Sequence, residues 1–169
     1  MNLCITESHV SEIATALFGD NGEEKFWEAV NVWNNKCPNV TIVPEDEKQV
    51  YGSYYNINFY INDSLQSYGD TSFDTGSSGQ DNISLPANYC NIDLNIGLIE
   101  GTSDSEAERK WVIIHELGHA LMMTHPGRKE NGECYVLSVM NGGDPNSPAS
   151  LTTFEPSLYD IYFLNQRWI

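Results

Sequence analysis

Basic side chains are scarce in this sequence. Only 8 Lys and Arg stand against 24 Asp and Glu in 169 residues, a formal net charge of −16. A surface of that sign repels phosphate backbones and anionic lipid headgroups, which argues against nucleic acid and membrane as partners. Long apolar runs are missing too, and nothing approaches the ~20 residues of a membrane-spanning helix. Met1 to Glu7 shows no basic stretch leading into an apolar one, so no secretory leader is legible. The four cysteines, Cys4, Cys37, Cys90 and Cys134, form no CxxC pair, which argues against cysteine-ligated zinc. Their even number leaves two disulfides or four buried thiols open. Neither a phosphate-cradling glycine loop nor a serine nucleophile elbow occurs.

What is present suffices for one folded domain spanning 1–169, since 40% of the residues are hydrophobic. Phe26, Trp27, Val30 and Trp33 recur at helical spacing within Glu23–Lys36, with acids at the start and Pro38 just past the end, which predicts an amphipathic helix. Ser8–Leu17 reads as a short helix or an extended arm. Val40–Val43 and the alternating Tyr54–Ile61 read as strands, and so does Cys90–Ile99. Asn62–Pro86 is rich in Gly, Ser, Asp and Asn and reads as a long loop, and Gly101–Ser105 as a short one. A helix is predicted from about Ser105 to Met122, opened by Ser103 with Glu106 or Ser105 with Glu108 as a capping box. Its second half is apolar almost all round, as for a central buried helix. A last helix is predicted over Thr153–Trp168, with Thr152 and Glu155 as its capping box and Pro156 in the first turn.

Chemistry concentrates in His115-Glu116-Leu117-Gly118-His119, which lies within the central helix. At about 100° per residue, His115 and His119 sit roughly 40° apart and one turn above each other, so both imidazoles can reach one ion. Glu116 lies beside them, placed to touch a water at the metal rather than the metal itself. On a continuing helix His125 would turn about 240° away from His119. It joins the pair only if the helix stops, and Pro126 disfavours helical backbone at His125. Three of the 4 histidines in the chain are spent on this one segment.

His115-Glu116-x-x-His119-x-x-x-x-x-His125 resembles the long zinc-binding motif of the metzincin metalloproteases, and Ser138-Val139-Met140 resembles their methionine turn. The resemblance implies an α+β fold: a small twisted mixed sheet with an antiparallel edge strand, a central active-site helix and a C-terminal helix. Residues 1–126 would form an upper part with the sheet and active-site helix, and 127–169 a lower part with the methionine turn. It implies one catalytic Zn²⁺ held by His115, His119 and His125, with Glu116 as general base and Met140 as a hydrophobic floor. The activity implied is hydrolysis of peptide bonds in a protein or peptide substrate by a monomeric, secreted or extracellular enzyme whose leader is absent; the cytoplasm is the alternative location. The Cys90–Ile99 strand would hold an extended substrate, and Asn141–Leu151 would wall the pocket beyond the cut. His125-Pro126-Gly127 is similar to the serralysins, while the single-domain size and the Asp/Gly-rich loop are similar to the matrixins. Two positions depart from the clan: Gly142 stands where serralysins carry Tyr, and Met122 stands where the clan turns on Gly. A left-handed Met122 would cost on the order of 1–2 kcal/mol. These departures leave a rival reading, a catalytically impaired, metal-stabilised binding protein of the same fold. Asp70, Asp74, Asp81 and Asp93 offer oxygen ligands for Ca²⁺, with solvated loop acids as the plainer reading.

Overall fold

Parallel strand pairing organises the centre of the molecule. The computed structural model describes residues 1–6, 9–47, 55–73, 89–102, 105–129, 133–142 and 151–168. Its five strands are β1 (Asn2–Ile5), β2 (Thr41–Pro44), β3 (Tyr55–Ile61), β4 (Gly69–Phe73) and β5 (Tyr89–Leu94), in the order β2-β1-β3-β5-β4. The first four in that order pair in parallel, and β4 closes the sheet antiparallel to β5. The expectation of an α+β molecule with a mixed sheet and an antiparallel edge strand therefore holds.

Alternation sorts each strand between two environments. Leu3, Ile5, Ile42, Ile57, Phe59, Ile92 and Leu94 are buried in the core. The alternate positions include Asn58 and Asn91, whose side chains bond each other at 3.0 Å while Thr6 donates to Asn58 at 2.7 Å. Helices α1 (Val10–Phe18), α2 (Gly22–Lys36), α3 (Ile96–Thr102), α4 (Glu106–Ala120) and α5 (Leu158–Arg167), with a 3-10 turn over Glu45–Glu47, complete the described elements. Of the predicted α2 stripe, Phe26, Val30 and Trp33 are buried together with Ala29, while Trp27 is only partly covered; Phe26 meets Phe59 edge-on at 5.2 Å, and the Trp33 indole donates to the Ile114 carbonyl at 2.9 Å. Residues Trp111 to Gly118 of α4 are buried without interruption, as its apolar surround predicts.

Four expectations change. The segment read wholly as loop contains β4, whose Gly-Asp-Thr-Ser-Phe sequence has little strand propensity of its own and is held by pairing with β5. The Cys90–Ile99 strand stops at Leu94, because the Asn95 side chain accepts the Leu98 amide at 2.8 Å and starts α3, which takes in the first two residues of the predicted Gly101–Ser105 loop. Consequently β5 is interior, between β3 and β4, and the edge belongs to β4. The last helix starts at Leu158, not Thr153. Pro156 keeps Glu155 out of helical backbone, Thr152 is bridged to Ser138, and the capping box is Ser157 with Asp160. Of the two alternatives left open for the cysteines, the structure has four buried thiols and no disulfide. Among the described residues no helix is long and apolar enough to cross a membrane.

Candidate metal centre

The site is built from the way α4 begins and ends. Ser105 accepts the Glu108 amide at 3.2 Å and Glu108 accepts the Ser105 amide at 3.0 Å, so the box is Ser105–Glu108. Glu106, the acid of the alternative box, is instead held by Lys25 and Lys110 at 2.6 and 2.7 Å. At the other end Met122 takes φ 69°, in the left-handed region. The Met122 amide donates to the His119 carbonyl at 2.8 Å and the Met123 amide to the Gly118 carbonyl at 3.0 Å. These two bonds are a Schellman termination, which satisfies carbonyls that the last turn would leave orphaned.

That turn brings the third ring back. His125 Nε2 lies 3.0 Å from His115 Nε2 and 3.2 Å from His119 Nε2. The outer nitrogens settle the tautomers of two rings. His115 Nδ1 faces the Val139 carbonyl at 2.8 Å and His119 Nδ1 faces the Met123 carbonyl at 2.8 Å. A carbonyl only accepts, so each Nδ1 carries the proton and each Nε2 presents a bare lone pair. With its proton on Nδ1, His125 would add a third lone pair at the same point, and three converging lone pairs call for a cation between them. A tetrahedral ion with metal–nitrogen bonds of 2.0–2.1 Å holds its ligand nitrogens about 3.3 Å apart, close to the spacing seen here. Burial, the chief cause, pushes His115 down to about 3 and also lowers His119 and His125, which keeps the rings neutral as ligands must be.

Glu116 is buried next to β4. The Thr71 hydroxyl donates to Glu116 Oε2 at 2.7 Å. Burial raises the carboxyl to about 7, opposed by the Thr71 bond and assisted by the charge of Asp70. Gly69 is required here: a Cβ at that position would fall 2.7 Å from Glu116 Oε1.

Beneath the helix, Met140 is fully buried against Gly118, where an added Cβ would lie 2.2 Å from the Met140 sulfur. The Val139 carbonyl accepts from both His115 Nδ1 and the Trp111 indole, the latter at 3.2 Å. This segment is fixed by Asp160 of α5, which is fully buried. Its carboxylate accepts the Ser138 hydroxyl, the Val139 amide at 3.0 Å and the Ser157 amide at 2.8 Å.

The structure thus brings His115, His119 and His125 together, sets Glu116 between α4 and β4, and lays Met140 below. Thr71, Gly69, Gly118 and Asp160 escape the sequence reading. Of these only Asp160 leaves a local trace, as the fourth residue of Ser157-x-x-Asp160. Asp74 and Asp81 lie outside the described residues, as does most of the expected Asn141–Leu151 wall, while Asp70 and Asp93 face each other across β4 and β5. Among the described residues, the three histidines are the group of His, Cys, Asp or Glu spaced to hold a metal ion. No protein-family model, curated protein or solved structure matches the chain.

Proposed function

We propose that the chain is a zinc-dependent endopeptidase of the metzincin type, with His115, His119 and His125 as zinc ligands and Glu116 as general base. One observation carries this reading: the Nε2 atom of His125 lies 3.0 and 3.2 Å from those of His115 and His119, beside the helix that also presents a buried carboxylate. A purely structural ion would need no such acid. Zinc bound there supplies a Lewis acid for a peptide carbonyl and makes water a better nucleophile at neutral pH. Glu116 takes a proton from the attacking water and returns it to the leaving amine. Its raised affinity for a proton suits both roles, since the group is poised near neutrality.

Substrate placement falls to β4 rather than β5. Among the described residues β4 has β5 as its single strand neighbour, so its other edge can take up an extended peptide by strand addition. That edge passes Glu116 at Thr71, which would bring a bound peptide bond to the acid.

The test is direct. Purified protein carries about one zinc per chain and cleaves an unfolded protein, and chelation stops cleavage. Glu116→Ala retains the zinc and loses activity by about 10²–10⁴-fold or more. Full activity in that variant, or a wild-type protein that binds no metal, overturns the reading.

A further inference from the structure

We propose that Thr71 is a positioning residue for Glu116: its hydroxyl holds one carboxylate oxygen so that the other is aimed at the water. The inference rests on the endopeptidase reading and assigns β4 a task in it beyond carrying substrate.

The geometry brackets the Glu116 side chain from one strand. Thr71 Oγ1 lies 2.7 Å from Glu116 Oε2 and 3.2 Å from the Glu116 carbonyl oxygen. A hydroxyl has one proton to give, and the shorter, charge-assisted bond to the carboxylate takes it. One pleat earlier on the same face, Gly69 leaves open the volume that the carboxylate fills, since a Cβ there would come within 2.7–2.8 Å of Oε1, Cδ and Cγ. Glu116 thus meets an absence of side chain at Gly69 and a hydrogen-bond donor at Thr71. The first admits the carboxylate, and the second fixes its plane.

A glutamate has a broad terminal torsion, so a carboxylate without a hydrogen-bond donor would sample several orientations. Engaging Oε2 removes that freedom and leaves Oε1 as the oxygen available to a water. Proton transfer is sensitive to such placement, and a misplacement of about 1 Å costs about 10²-fold in rate. Threonine also suits its strand: the β-branched residue favours the pleat, so its χ1 is stiff and its hydroxyl is held in one direction. Because the backbone of Thr71 belongs to the edge that would receive the peptide, docking of substrate and alignment of the base meet in one residue.

Three variants, assayed per zinc-loaded site on an unfolded protein or an extended peptide, test the idea. Thr71→Val keeps shape and strand preference without the hydroxyl; kcat should fall about tenfold to a hundredfold with KM nearly unchanged and zinc content intact. Thr71→Ser restores the hydroxyl and should recover kcat to within a few-fold of wild type. Thr71→Ala serves in place of the valine variant if that one does not fold. A readout independent of turnover comes from metal-free protein: a denaturation cycle over Thr71→Val, Glu116→Ala and the double variant should give non-additive midpoints. If wild type cleaves, Glu116→Ala does not, and Thr71→Val matches wild type, the positioning role is overturned while the endopeptidase reading stands. If wild type does not cleave at all, both fall.

Discussion

Met122 shows what one residue can be asked to tolerate. Its φ of 69° lies where side chains other than glycine are disfavoured, at a cost on the order of 1–2 kcal/mol. Its side chain is also buried, lining an apolar cavity with Leu3, Phe73 and Trp168. Removing a buried methionine side chain costs about 2–5 kcal/mol, so packing outweighs strain. Met122→Gly should therefore lower stability by about 1–3 kcal/mol despite relaxing the turn, read as a lower denaturant midpoint. Metal binding should survive, because the same Schellman turn forms more easily with glycine.

At the scale of elements, the site depends on an α5 side chain that touches none of its ligands. Asp160 accepts from Ser138, Val139 and Ser157, and the Val139 carbonyl in turn orients the His115 ring. In Asp160→Asn the amide nitrogen would meet at least one of those donors. The variant should lose about 3 kcal/mol of stability and bind zinc about 10–100-fold more weakly, measured by competition with a chelator. This dependence is only half legible in the sequence. Pro126 announces only that the helix cannot include His125, while the actual stop is the left-handed turn at Met122. The pair at His115 and His119 follows from helix periodicity, which is local. The start of α4 is legible for the same reason, a capping box being a four-residue object. By contrast β4 exists through pairing with β5 and packing on α4, which no local pattern in Gly69–Phe73 announces. The start of α5 misleads because Thr152 and Glu155 satisfy the capping pattern, while the chain employs Thr152 in a bridge to Ser138. Thr71 acquires its meaning from a partner 45 positions away, and Asp160, beyond its local cap on Ser157, from partners 21 and 22 positions away.

The whole molecule senses the centre through proton linkage. The ordinary histidine value is 6.5, and His115 is driven to about 3, mainly by burial, with His119 and His125 also lowered. In metal-free protein the unfolded chain therefore binds more protons on these rings once the pH falls below about 6.5, and stability declines with it. Glu116 works in the opposite sense: its folded value near 7 exceeds the ordinary 4.5, so the folded state gains its proton across that window. Three rings outweigh one carboxyl. With chelator present, the denaturation midpoint should drop steadily from pH 6.5 to 5, and added zinc at neutral pH should raise it in a concentration-dependent way.

The doubly engaged oxygen of Val139 carries a last consequence. With the Trp111 indole and His115 Nδ1 both bonded to it, the imidazole cannot turn over without abandoning its acceptor. The orientation of this ring is thus settled by folding alone, and under the zinc reading it is ready before an ion arrives. Capture should then be limited by the ion's approach and the shedding of its hydration shell, not by a search among ring rotamers of the host.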